Sequence, residues 1–393
     1  MTLKILQVAS HSDLTRGGAV QMLLLARGLK ERGHDVWCVF NRAEKAASHC
    51  PTTPSPTSAA LRSETAWAEQ IAPLSGRLFN LGSLRDMLRF RAWVRSERFD
   101  VIHSHREPAL RFCFLATLGF SVPAFVTQRG TVYRLPRWGV VRWAFRSPKL
   151  DRVIAVSEAV RRSLIANDGL APDKVSVVYG GYDPQQFHRG IAGDRVRSEF
   201  GLDAQTQVVG IVGALIAKKG HADFFEAAAR IAEAVLTARF LAIGPGKPER
   251  FAAMLEQLGL GERVIFAGYR SDIAEALAAL DVLVCASTKG EGLTGAVREA
   301  MAVGTPVVTT DVGGNTELVE HERTGLVVPV GSPVDLARAT LRLLGDSDEA
   351  ARLADAAELC VRSLCLNSTR CERIEQIYVQ IIEKWGRHTI SGE

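Results

Sequence analysis

The feature that most restricts the fold of this 393-residue chain is a strand–loop–helix rhythm that runs once, pauses and starts again. Residues 4–8 read as a short buried strand, and 11–18 as a polar loop ending in Gly17-Gly18. Residues 19–32 carry helical apolar spacing closed by Gly33, and 35–40 form the next strand. Further apolar, β-branched runs stand at 101–103, 124–126, 153–155 and 175–178. The rhythm restarts with a strand at 208–212, a loop at 213–220 and a helix at 221–234. Strands then follow at 239–243, 264–266, 282–285, 306–309 and 325–328. Strands joined through helices lie parallel and are covered on both faces. The length is too great for one comfortable core, so the expected fold is α/β with two Rossmann-like domains and a linker over 181–193. A proline-rich stretch at 51–58 reads as a surface loop of the first domain.

In such sheets ligands bind beyond the carboxyl ends of the strands, so the loops named above are where chemistry belongs. Neither opening loop is G-x-G-x-x-G, and no acidic residue closes the second strand, which disfavours a dinucleotide-linked dehydrogenase. The richest stretch runs from Ser287 through Glu291, Gly292, Leu293 and Thr294 into a helix carrying Glu299, and continues to Gly313-Gly314-Asn315. A helix starting near Thr294 offers free N–H groups and a positive dipole end to phosphate oxygens. Two carboxylates beside that start suit a ligand that is anionic in its middle and rich in hydroxyls at both ends, as a nucleotide sugar is.

With this constellation the sequence resembles the retaining GT-B glycosyltransferases, in particular glycosyltransferase family 4. The resemblance covers nearly the whole chain and is strongest from about 150 to 330. Its E-x7-E element matches Glu291 and Glu299, which implies contacts to the donor sugar's hydroxyls and to the ribose respectively. Backbone amides at Gly292, Leu293 and Thr294 are implied at the sugar and diphosphate. Gly17-Gly18 resembles the N-terminal glycine loop near donor phosphate and acceptor, and Gly213 through Lys219-Gly220 the first phosphate loop of the second domain. The resemblance implies two domains, 1–185 for the acceptor and 194–365 for the nucleotide sugar, with parallel sheets facing a central cleft. A closing helix at 371–393 is implied to return to the first domain. It also implies chemistry without metal or cofactor, with Lys219 offsetting charge on the leaving diphosphate.

Two positions depart from the family. Ala214 stands where an arginine usually follows the glycine, which removes one cation and leaves Lys218 or Arg129 to replace it. Arg129 stands where many members place a histidine facing the reacting sugar. Arginine takes no proton near neutrality. Same-face attack, with the leaving phosphate accepting the proton, needs no protein base, so Arg129 is expected to bind an anionic acceptor or the diphosphate. His103 and His105 close the preceding strand and are expected to point to opposite faces, with His105 touching donor or acceptor. Glu107 either joins the acceptor site or caps the next helix. Asp346-Ser347-Asp348 superficially matches the D-x-D of metal-dependent transferases, but its place between helices favours capping.

The net charge of +5 hides an asymmetry, +11 over residues 1–185 and −6 over the rest. Arg85, Arg89, Arg91, Arg95 and Arg98 interleave with Leu84, Leu88, Phe90 and Trp93, and a second basic, aromatic segment spans 134–149. Such segments lie on anionic membrane surfaces or place their aromatics in a core. No nucleic-acid module accompanies them, so nucleic acid is not the expected partner. The seven cysteines are odd in number and lack C-x-x-C spacing, which points to reduced thiols in a cytoplasm. Residues 112–128 are uncharged but broken by Gly119, Ser121 and Pro123, and read as helix, turn and buried strand. The sequence reading is therefore a metal-independent transferase using a UDP-, GDP- or other nucleotide diphosphate sugar. The expected acceptor is a glycan or lipid-linked molecule, in cell-envelope polysaccharide or lipopolysaccharide synthesis at the inner face of the membrane. A nucleotide-sugar epimerase and a non-catalytic sugar-nucleotide-binding protein are the alternatives on the same architecture.

Overall fold

The computed structural model describes residues 1–10, 17–41 and 77–390, with side chains to 387; the loop at 11–16 and the proline-rich stretch at 51–58 lie outside the described residues. The chain divides into two compact units. The first comprises Met1–Val156, Val160–Gly181 and Asn367–Glu393, and the second Ser157–Ala159 and Tyr182–Leu366.

The first unit is built on β1 (Lys4–Ala9), β2 (Asp35–Asn41), β3 (Arg77–Phe79), β4 (Val101–His105), β5 (Ala124–Arg129), β6 (Arg152–Ala155) and β7 (Val175–Val177). They form one sheet in the order β3-β2-β1-β4-β5-β6-β7, every pair parallel. Its central strands are buried on both faces, which is why they read as continuous apolar runs rather than alternating ones. The helix Gly17–Glu31 packs Met22, Leu25, Ala26 and Leu29 onto the sheet. Gly17 and Gly18, expected to end a loop, instead open this helix. Glycine's cost in a helix is the backbone entropy lost in fixing it, and it weighs most in the helix interior rather than at the start.

The final helix, Asn367–Ile390, begins before the expected residue 371 and joins the same core through Ile374, Ile377, Tyr378 and Ile381. Asn367 donates to the Leu24 carbonyl at 2.9 Å, and Arg370 to that of Gln21 at 2.8 Å. Gly28 makes this approach possible, since a Cβ there would stand 2.5 Å from the Cys371 sulfur and 2.8 Å from Asn367 Nδ2.

The second unit holds β8 (Val208–Val212), β9 (Arg239–Ile243), β10 (Val264–Gly268), β11 (Val282–Cys285), β12 (Val307–Thr310) and β13 (Leu326–Val328). Its sheet is parallel in the order β10-β9-β8-β11-β12-β13. Of the stretch 181–193, expected as a linker, residues 182–193 are part of this unit. Tyr182 and Phe187 are buried, the Tyr182 N–H donates to the Cys365 carbonyl, and Gly193 lies against the Ala279 backbone. Apolar burial at those two aromatic residues outweighs the loop-forming tendency of the flanking glycines. Asp346 caps the helix Ser347–Cys365, accepting from the Glu349 N–H at 2.9 Å, so the D-x-D lookalike is used in capping.

The six described cysteines are free thiols; Cys50 lies outside the described residues. No helix among the described residues is long and apolar enough to cross a membrane. In each sheet the strand order reverses at one central pair, β1/β4 in the first unit and β8/β11 in the second. Connections leaving that pair diverge, which opens a crevice at the carboxyl ends.

The contact at Gly28 gives a direct test of the final helix. Gly28→Val is expected to lower the unfolding free energy by about 1–3 kcal/mol through overpacking against Cys371 and Asn367. Arg27→Ala, at an exposed neighbour, should stay within about 0.5 kcal/mol; urea titrations of both variants measure the contrast.

Candidate functional site

In the second unit the reversal at β8/β11 brings two distant loops together. After β8, the Gly213 N–H donates to the Ile243 carbonyl at 2.8 Å, and the Gly244 N–H to that of Gly268 at 2.7 Å. Gly213, Gly244 and Gly268 thus line the carboxyl ends of three adjacent strands. The chain then makes a short 3-10 turn, Ala217–Lys219, and reaches Gly220 at φ 70°. A Cβ at Gly220 would overlap the Ala286 carbonyl, so this loop lies directly against the segment leaving β11. The Thr288 N–H seals the approach by donating to the Lys218 carbonyl at 2.9 Å.

The result is an ion pair between Lys219 Nζ and Glu291 Oε1 at 2.9 Å, with both side chains largely buried. Two hydroxyls orient the carboxylate: Ser287 Oγ donates to Oε1 at 3.2 Å, and Thr294 Oγ1 to Oε2 at 3.3 Å. The loop carrying Glu291 and Gly292 is pressed from the other side by Gly313 and Gly314. A Cβ on Gly313 would overlap the Glu291 carbonyl, and one on Gly314 that of Gly292. Gly313 also sits at φ 61°, so both its conformation and its contact call for glycine.

Thr294 is the N-cap of the helix Gly295–Val303, as the sequence indicates, but its side chain makes no capping bond. Its hydroxyl is engaged with Glu291, which leaves the helix start without a side-chain cap. The Thr294 N–H donates to Asn315 Oδ1 at 3.2 Å, and Asn315 Nδ2 donates to Thr309 Oγ1 at 3.2 Å. Asn315 is fully buried and pins the loop to β12. Glu299 lies in the second turn, paired with Arg298 at 3.2 Å, and folds back so that Oε1 would lie 3.3 Å from a Cβ on Gly295. A cation, an uncapped helix start and two oriented carboxylates therefore share one strand-end crevice, with Leu293 on the connecting loop. Such a set can hold an anion between hydroxyl-bearing groups. Ser287 and Asn315 hold Glu291 and Thr294 in place, roles that the sequence signals only through their position at strand ends beside glycines.

The first unit's reversal point carries the other expected residues. His103 and His105 do not point to opposite faces: their rings stack with centroids 4.3 Å apart. Residues two apart on a strand share a face, so the expected divergence had the wrong period. Both are buried. Burial, helped by the Arg370 charge, pushes His105 down to about 3, and holds His103 well below the usual imidazole range. Between His105 and Glu107, Arg106 adopts φ 74°, uncommon for a residue with a side chain, and its Cδ would lie 3.8 Å from a Cβ on Gly18. Strained residues concentrate at functional sites; nothing in the sequence marked this one. Arg129 closes β5, nearly buried, with its guanidinium bonded to the Glu107 carboxylate and the Tyr133 carbonyl. Glu107 opens the helix Glu107–Ala116 and binds Arg129, so it serves that arginine as well as the helix start.

Comparison with known proteins identifies the architecture. Residues 15–186 match the profile described as Glycosyltransferase Family 4, and residues 206–346 that described as Glycosyl transferases group 1. The alpha-maltose-1-phosphate synthase of Mycolicibacterium smegmatis is 30% identical over 318 residues, covering 74% of this chain and 80% of that protein. The chain belongs to glycosyltransferase family 4. Another relative is the UDP-Gal:alpha-D-GlcNAc-diphosphoundecaprenol alpha-1,3-galactosyltransferase of Escherichia coli. It is 25% identical over 325 residues, covering 77% of this chain and 82% of that one. The crystal structure of Anabaena HepE in complex with UDP-glucose has the same GT-B fold, with a TM-score of 0.79, 20% identity, and 96% and 99% of the two chains covered.

This family 4 glycosyltransferase also carries the two basic, aromatic segments on neighbouring elements. The helices Leu84–Glu97 and Val140–Arg146 both pack against Glu107–Ala116. Phe90, Trp93 and Phe145 enter the core, whereas Leu84, Leu88, Trp138 and Trp143 remain exposed. Arg91 closes the end of Glu107–Ala116 through the Ala116 and Leu118 carbonyls. Arg91, Arg95 and Lys149 gather over the Phe120 ring.

The role of Asn315 is open to direct measurement. Asn315→Ala leaves the Thr294 N–H and the Thr309 hydroxyl without this partner, and should lower the unfolding free energy by roughly 1–3 kcal/mol. Amide exchange measured by mass spectrometry should rise in the peptide containing Thr294 and the helix start; unchanged protection there would remove Asn315 as a support.

Proposed function

We propose that this family 4 glycosyltransferase moves a sugar, with retention at the anomeric carbon, from a nucleotide diphosphate sugar to a glycan or lipid-linked acceptor. The biological setting we assign is cell-envelope polysaccharide or lipopolysaccharide synthesis. The observation that carries the donor assignment is the Lys219–Glu291 pair beside the uncapped start of Gly295–Val303. Each partner has a natural substitute in the donor. A diphosphate oxygen takes the place of Glu291 on Lys219, and a sugar hydroxyl takes the place of Lys219 on Glu291. The positive charge needed by the leaving diphosphate then comes from the chain itself, through Lys219 and the N–H groups of the helix start. Gly213, Gly292, Leu293 and Thr294 supply close backbone approach, and Glu299 receives the ribose hydroxyls.

Ala214 adds no charge, which concentrates the electrostatic role on Lys219. Arg129 cannot act as a base, so its assignment is to orient a charged acceptor or the diphosphate. Gly17 and Gly18 leave the first-unit crevice open to substrate, and His105 contacts the acceptor there. A UDP-sugar is the first donor to test, because the Anabaena protein was crystallised with UDP-glucose and the Escherichia coli relative is named for UDP-Gal. That relative's diphosphoundecaprenol acceptor supports a lipid-linked acceptor as well. The exposed Leu84, Leu88, Trp138 and Trp143 among arginines fit an anionic bilayer surface, where such an acceptor resides.

Two measurements test these assignments. A thermal-shift panel of nucleotide diphosphates and their sugars identifies the donor; with that donor, Lys219→Ala should reduce kcat by about 10²–10³-fold, comparable to losing one oxyanion donor. Near-normal turnover would remove Lys219 from the mechanism. In liposome flotation, the protein should rise with phosphatidylglycerol-containing vesicles but not with pure phosphatidylcholine, and high salt should weaken the association. Equal recovery with both lipids would end the membrane assignment.

A further inference from the structure

The first unit's reversal point holds a chain of buried polar groups, of which the reaction above uses only His105. Gln7 lies on β1, His103 and His105 lie on β4, and Tyr378 comes from the final helix; all four are buried. His105 Nε2 is 2.7 Å from Gln7 Oε1. That amide oxygen only accepts, so the imidazole proton resides on Nε2. Gln7 Nε2 donates to the Tyr378 hydroxyl at 3.3 Å. The hydroxyl lies 2.6 Å from His103 Nδ1, and with its oxygen already accepting from Gln7, its own proton is the one available for that bond. The bonds therefore run in one direction and fix both rings: His105 Nδ1 keeps a lone pair, and His103 Nε2 keeps a proton.

Neither of those two atoms has a partner among the described residues. Buried polar atoms left unpaired are rare and costly, and a ligand is one explanation for their persistence. Burial keeps His105 neutral, as the Nδ1 lone pair requires.

We propose that Gln7 and Tyr378 are positioning residues that hold His105 in the tautomer whose Nδ1 accepts a hydrogen bond from an acceptor-sugar hydroxyl. The proposal rests on the glycosyl-transfer reading above and deepens it. It gives the final helix a part in substrate binding, since Tyr378 is the group that orients the Gln7 amide. Without the tyrosine hydroxyl the amide is free to rotate and present Nε2–H to His105. The imidazole proton then moves to Nδ1 and the acceptor atom is lost.

The experiment uses the full chain labelled with ¹⁵N-histidine, with His105→Asn to assign the ring signals. Long-range ¹H–¹⁵N spectra of the wild type should show His105 protonated at Nε2 alone; an Nδ1–H tautomer overturns the proposal. Tyr378→Phe keeps the ring, and circular dichroism checks that it folds; its His105 should populate the Nδ1–H form. Octyl α-glucoside and octyl α-galactoside serve as hydroxyl-bearing acceptor probes. They should shift the wild-type His105 Nδ1 resonance and bind Tyr378→Phe about fivefold more weakly, the loss of roughly one net hydrogen bond.

No shift in the wild type, or equal affinities in the two proteins, overturns the proposal. In a His105→Ala background, Tyr378→Phe should add no further loss of probe affinity, because a residue acting through His105 has nothing left to position. A full additional loss would show a merely structural effect and also overturn it. The glycosyl-transfer reading fails by a separate observation, the absence of binding or turnover of every nucleotide diphosphate sugar.

Discussion

Each unit is organised by a reversal in the order of its parallel strands, at β1/β4 and at β8/β11. Parallel strands need crossover connections, and the crossovers on either side of the reversal leave in opposite directions. The carboxyl ends of that strand pair are consequently the place where loops part and side chains or ligands enter. Lys219 and Glu291 meet at one such point, and the buried pair His103 and His105 occupies the other. Residues far apart in the chain are brought together by this topology rather than by any local preference.

The second-unit site depends next on close backbone approach. Gly220 against Ala286, Gly313 against Glu291 and Gly314 against Gly292 let three loops lie nearly in contact. That packing holds the lysine and glutamate within ion-pair distance with little freedom. A largely buried pair of this kind adds little net stability, because desolvation offsets its attraction. Both charges are already stripped of much of their water, and the carboxylate is held in one orientation by neighbouring groups. Ser287, Thr294 and Asn315 perform that orientation, and the same threonine leaves the helix start uncapped.

The first unit uses burial differently. Its central strand carries His103, Ser104 and His105 in positions that β-strand burial would ordinarily give to aliphatic residues. Ser104 is satisfied locally by Thr127 on the next strand, at 2.9 Å. The histidines require Gln7 from another strand and Tyr378 from the chain's last helix. This polar seam makes the docking of that helix specific, beyond the apolar contacts of Ile374, Ile377 and Ile381. Arg106, Arg129 and Glu107 lie on the β4–helix connection and the end of β5, so charge is concentrated at the carboxyl-end rim of the same sheet.

Much of this was legible in the amino-acid sequence because it depends on short-range patterns. Apolar runs and turn residues defined most strands and helices, and the Glu291–Glu299 spacing with its glycines marked the richest loop. Three readings failed for tertiary reasons or from a wrong period. The stretch at 181–193 reads as a linker, but Tyr182 and Phe187 are buried with the second unit. Gly17-Gly18 looked like a loop end, but the first turn of a helix accepts them. The expectation that the two histidines face opposite ways fails because the two-residue period of a strand places them together. By itself, then, the sequence determined the repeated α/β architecture and which loops carry charge and glycine. Only the tertiary structure decided that Lys219 pairs with Glu291, that Asn315 anchors Thr294, and that Tyr378 reaches His103 and Gln7. Those partners are separated by long stretches of chain, and their meeting depends on sheet order and close packing, which no local window of residues encodes.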